Sequence, residues 1–78
     1  MSEKMDSDRI REIYKLCKSH FGDVRFVGIK YQNKIGWIAK AELGQDFENL
    51  TADGKSSTDA LRRLRDRVKK IIKRYNRV

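Results

Sequence analysis

The last eighteen residues hold the side chains best equipped to do chemistry, and that chemistry is electrostatic. Arg62, Arg63, Arg65, Arg67, Lys69, Lys70, Lys73, Arg74 and Arg77 stand there against one acid, Asp66. Residues 1–60 balance ten Lys and Arg with ten Asp and Glu, so nine minus one accounts for the whole net charge of +8. A field concentrated in this way draws polyanions: a phosphate backbone, an anionic lipid surface or an acidic protein. A solvated helix face ordinarily mixes both signs. Here self-repulsion works against the fold, which favours a function that uses the charge.

Other reactive types are sparse. Cys17 and His20 lie three apart and invite a Cys–His dyad, but no second His is available and Cys17 falls among apolar neighbours. The expectation is therefore a buried structural thiol and a His near helix-end carbonyls. One Cys and one His beyond scattered carboxylates make no metal cluster, and no phosphate loop or paired-carboxylate site stands out. A non-enzymatic binding module without metal or cofactor is expected. The single cysteine fits a reducing, cytoplasmic setting, and neither the polar start nor any apolar run reads as a signal peptide or membrane span. The sequon at Asn49-Leu50-Thr51 is then accidental.

These cations need an element to present them. From Leu61, a stripe of Leu64, Val68, Ile71, Ile72 and Tyr75 repeats at helical spacing, and the basic residues fall opposite it. Ser56 followed by Asp59 matches a capping box, so a basic amphipathic helix is predicted over 57–76. Ile10, Ile13, Tyr14, Cys17 and Phe21 predict a second helix over 7–21, after a loose segment 1–6. Asp6, Ser7 and Asp8 are its cap candidates, and Gly22 is its C-terminal stop.

Between the helices, residues 24–52 read as a three-stranded meander. Val24–Tyr31 is rich in β-branched and aromatic residues, and Ile35–Leu43 alternates with a period of two. A three-residue turn at Gln32-Asn33-Lys34 would oppose Tyr31, Ile29 and Val27 to Ile35, Trp37 and Ala39. A two-residue turn would exchange the faces of one strand. After a turn at Gly44-Gln45-Asp46, Phe47–Ala52 is the third strand. The expected fold is α+β, αβββα in order, a three-stranded antiparallel sheet with both helices packed on one face. Gly28, Lys30, Gly36, Ile38, Lys40 and Glu42 then form the open face. Core packing is the stronger reading of most of Trp37, Phe26, Tyr31 and Tyr14, since Trp37 lies on the more apolar side of its strand, with base stacking the alternative.

The element order resembles that of double-stranded RNA-binding domains over nearly the whole chain. Gly54 and Ser56 match the start of that family's last helix, whereas Ser57, Thr58 and Leu61 stand where it carries lysines, and Gln32-Asn33-Lys34 replaces its histidine-bearing loop. Val24–Ile72 also resembles the HicB antitoxin core, a partial RNase H-like unit, through Gly54-Lys55-Ser56 and Asp59-Ala60-Leu61. Ala41-Glu42-Leu43-Gly44-Gln45 replaces its proline-containing segment. The first resemblance implies RNA binding, the second a protein-binding antitoxin.

The leading expectation is a small nucleic-acid-binding module, contacting phosphates through Arg62, Arg63, Lys69, Lys70, Lys73, Arg74 and Arg77, with Lys55 beside them. DNA and RNA, duplex and single strand, monomer and dimer are all compatible with it. The alternative is an inhibitor or regulator, antitoxin-like or phage-encoded, docking on an acidic surface of a nucleic-acid-handling enzyme. An anionic membrane surface is the least favoured partner, because folding consumes the apolar stripe.

Overall fold

In a computed structural model, the structure describes residues 5–44 and 47–76, with side chains through Arg74. Helix α1 (Asp6–Phe21), strands β1 (Val24–Gln32), β2 (Gly36–Leu43) and β3 (Leu50–Gly54), and helix α2 (Ser57–Asn76) follow in that order. The sheet is antiparallel with β2 at its centre, in the order β1-β2-β3. Both helices cover one face. Ile13, Cys17 and Phe21 of α1 meet Leu61, Leu64 and Val68 of α2 over Ala39, Ala41 and Leu43 of β2. The small alanines let the helices approach the sheet closely. Each fully buried Leu or Val contributes about 1.5–3 kcal/mol of transfer free energy.

Helix α1 starts one residue earlier than its apolar pattern suggests, and its cap differs from expectation. Extended Met5 takes the cap position with no side-chain bond, and its carbonyl accepts the amides of Asp8 (3.0 Å) and Arg9 (3.1 Å). The Asp6 carboxylate is used elsewhere. It accepts the hydroxyls of Ser57 and Thr58 at the start of α2, and Arg9 lies 3.4 Å away. The Ser57 hydroxyl, followed by Thr58, Arg9 and its charge, holds the carboxyl below the usual range against a smaller opposing effect of burial. Gly22, at φ +84°, closes α1 and bonds back to the Lys18 carbonyl at 3.2 Å.

The first hairpin keeps the expected faces but moves its register by two residues. Tyr31 opposes Trp37, Ile29 opposes Ala39 and Val27 opposes Ala41, so the loop is Asn33-Lys34-Ile35. Lys34 adopts φ +76°, and the Ile35 amide donates to the Gln32 carbonyl at 3.2 Å. A slip of two preserves which side chains face the helices, so alternation could not distinguish the two registers.

The third strand is displaced from 47–52 to Leu50–Gly54, which extends the meander to residue 54. Phe47 is used instead as a plug: its ring lies 4.8 Å from that of Phe21 at the end of α1. The Asn49 side chain then accepts the Leu43 amide at 3.2 Å, ending β2 before β3 begins. Gly54 sits where β3 turns into α2. A Cβ there would meet the Ala60 amide nitrogen at 2.6 Å, so only a glycine lets the strand end lie against the first turn of α2. The Ser56 hydroxyl caps that turn by accepting the Asp59 amide at 3.1 Å. The turn residues Gln45 and Asp46 lie outside the described residues.

Candidate nucleic-acid interface

Helix α2 is amphipathic because its apolar positions recur every three or four residues. Leu61, Leu64 and Val68 are buried, and Ile71 and Ile72 are half-buried. Arg62, Arg63, Lys69, Lys70, Lys73 and Arg74 are all exposed, as is Lys55 ahead of the helix. At 100° per residue they divide into two rows. Arg63, Lys70 and Arg74 run along the flank nearest β3. Arg62, Lys69 and Lys73 run along the other. Arg77 and the side chain of Tyr75 lie outside the described residues.

Among the described residues, one cation of α2 finds a carboxylate. Arg65 lies 3.5 Å from Glu12, half-buried between the helices, and so belongs to their packing. Two others find backbone. The Arg63 Nη1 donates to the Asp53 carbonyl at 3.3 Å and the Arg67 Nη1 to the Thr51 carbonyl at 2.7 Å. Thr51 and Asp53 alternate along β3, so both turn their peptide groups to the free edge of the sheet. Four residues of helix and two of strand match in rise, about 6 Å and 7 Å, which lets one arginine row cover one strand edge.

This arrangement has two consequences. It blunts an edge that would otherwise accept a further strand. It also holds two guanidiniums in place, each with donors left over, so less side-chain entropy is lost when an anion binds. A groove of about 690 Å³ follows the same edge, with Arg63, Arg67 and Lys70 on one side and Ile38, Thr51 and Asp53 on the other. Asp66 also borders it and tempers its charge. A second hollow of about 410 Å³ on the outside of α1 mixes Asp8 and Glu12 with Arg11 and Lys15, without a dominant sign.

Arg67 is the residue that sequence reasoning left out of the contact set. Its signal was present, since it stands four after Arg63 and three before Lys70. Thr51 and Asp53 carried none, because their part comes from the strand edge. Tyr14, Phe26 and Tyr31 are a correction of the core reading: they are 40%, 48% and 61% exposed, and only Trp37 is half-buried. Tyr31 stacks edge-on against Trp37 at 5.4 Å. Cys17 is fully buried, which pushes its thiol up to about 11, while His20 is exposed. The thiol therefore stays protonated at neutral pH, and the two form no nucleophilic pair.

No group of three or more His, Cys, Asp or Glu side chains gathers as a metal would need, among the described residues. No described helix is long and apolar enough to cross a membrane. No protein-family model matches this chain, and no curated protein or solved structure does.

Proposed function

We propose that this protein is a small nucleic-acid-binding module that holds the phosphate backbone through α2. One observation carries the reading: Arg62, Arg63, Lys69, Lys70, Lys73 and Arg74 are exposed along one helix, and no described carboxylate pairs with them. Such a row repels itself unless a polyanion neutralises it. Lys55 adds charge beside the N-terminus of α2, where the helix dipole is also positive. The contacts are to phosphate, which positions a chain without reading its sequence. Binding and not catalysis is the task, and Cys17 as a buried free thiol suits the cytoplasm.

Fluorescence anisotropy with labelled oligonucleotides tests this directly. Neutralising four to six phosphates gives a log–log salt slope of about −4 to −5 on duplex DNA. The triple variant K69E/K70E/K73E should keep its fold by circular dichroism and lose binding. Undiminished binding by that variant, or no binding by the parent protein at about 50 mM salt, removes the reading. If a nuclease-treated pull-down then yields one defined acidic protein, the inhibitor alternative takes its place.

A further inference from the structure

The open face of the sheet carries a feature that phosphate binding by α2 does not use. Strict alternation along β1 would place Val24 and Phe26 on the same side. Instead the pairing slips between them, since Val24 opposes Leu43 while Phe26 opposes Glu42. This bulge at Arg25 turns Val24 into the core, where it is 8% exposed, and leaves Phe26 outside at 48%. The Phe26 ring does not stand up into solvent. A Cβ on Gly28 would lie 2.4 Å from its Cζ and within 3.2 Å of both Cε atoms, so the tip of the ring reaches over Gly28 while nearly half of the residue's surface stays exposed.

The surroundings carry both signs: Glu42 opposes Phe26 itself, and two lysines lie further along the same face. Lys40 opposes Gly28 across the pair, and Lys30 opposes Ile38, so both lysines share the open face with the ring. Lys40 is held 3.0 Å from Glu42. Ile38, half-buried on this face, is also a wall of the groove along β3, which joins the face to Arg63, Arg67 and Lys70. Crossing from β3 to β1 takes two strand spacings, about 10 Å, a span of two nucleotides or so.

We infer that the protein takes unpaired nucleic acid, its backbone entering the β3–α2 groove and a base stacking on Phe26 across the open sheet. This rests on the reading of α2 as a phosphate-binding helix. An exposed aromatic ring on a face that also carries Lys30 and Lys40 is what a sequence-tolerant single-strand site requires, because every base has a π-face. A duplex keeps its bases stacked inside and offers none to the ring. The groove sets Arg63, Arg67 and Lys70 against Asp53 and Asp66. This positive surplus beside the exposed cations of α2 favours a polyanion over an apolar peptide, while the arginines on the Thr51 and Asp53 carbonyls disfavour an added strand.

Titration of the full chain with a twelve-nucleotide single strand and with its duplex, at one fixed salt concentration, provides the test. The expected result is at least tenfold tighter binding of the single strand. Phe26→Ala should weaken single-strand binding about 5- to 100-fold and leave duplex binding unchanged. Phe26→Leu keeps an apolar side chain there, so a loss of the same order separates stacking from simple burial. Equal or tighter duplex binding, or a Phe26→Ala variant that binds single strands like the parent, overturns the inference while α2 keeps its role. Loss of concentration-dependent self-association in Phe26→Ala, with nucleic-acid binding intact, would instead make the ring a dimer contact and overturn it too. The α2 triple variant should lose both ligands; if it retains both, the underlying reading fails separately.

Discussion

The Ser57 hydroxyl donates to the Asp6 carboxylate, joining the first turn of α2 to the first turn of α1 across 51 residues of chain. Thr58 adds a second hydroxyl to the same carboxylate at 3.1 Å. Helix α1 and the three-stranded meander together thus form a loop that begins and ends at a single polar clasp, at the N-termini of both helices. A negative group suits that place, since both helix dipoles point their positive ends at it.

Replacing Asp6 by Ala should therefore lower stability at neutral pH by about 1 kcal/mol, a few degrees in Tm. The carboxyl lies below its ordinary value of 3.8 in the folded chain. Its contribution is thus complete above that ordinary value and is lost as pH falls through the lowered one. Thermal melts from pH 7 down to about 2.5 should show the gap between parent and variant closing only at the acid end, near and below the unfolded carboxyl pKa. A gap that stays constant with pH would rule out the carboxylate as its source.

Gly54→Ala is expected to destabilise by about 1–3 kcal/mol, as overpacking does. The new methyl meets the backbone nitrogen of Ala60, which cannot swing aside as a side chain tip can. By contrast, Gly28→Ala meets only the mobile end of the Phe26 ring and should leave the urea midpoint almost unchanged. Equal losses at the two positions would contradict this distinction.

Lys34 holds φ +76° in the first hairpin loop, a conformation that costs a side chain with a Cβ about 1 kcal/mol. Asn tolerates it better. Lys34→Asn should raise stability by about 0.5 kcal/mol, read from the urea midpoint, with nucleic-acid binding changed by no more than one lost charge.

Arg63 and Arg67 should protect the β3 edge as well as attract anions. Truncating both to Ala frees the Thr51 and Asp53 carbonyls for a second chain. Sedimentation velocity of the double variant should show association at concentrations where the parent shows less. The charge-matched pair Arg62→Ala and Lys73→Ala should not do so.

Cys17 should resist alkylation in the folded state at pH 8, because the thiol is fully buried and its pKa is raised to about 11. Reaction should follow the unfolding transition in urea, measured by mass. Rapid labelling without denaturant would mean that α1 opens from the core on its own.

The displaced features share a cause. The stripe of α2 was legible because helical spacing is local, and Ser56 and Asp59 marked its start within four residues. Phe47 misled because its own type suits a strand; only its meeting with Phe21, a distant ring, makes it a plug. Phe26 misled for a related reason. Alternation from Val27 and Ile29 already sets it beside Gly28 and Lys30, but the inward turn of Val24 two residues before depends on a bulge, and a bulge exists only in the pairing of two strands.

By itself, the order of residues determined two helices flanking three strands, the faces of β1 and β2, and the segregation of charge into α2. Each of these follows from periodicity or composition within a short window. Tertiary structure alone decided the hairpin register, the bounds of β3, the placing of Phe26 over Gly28, and the use of Arg63 and Arg67 as clamps on a strand edge. Those depend on which backbone groups meet across the fold, and hydrogen bonds between distant segments leave no pattern in either segment alone.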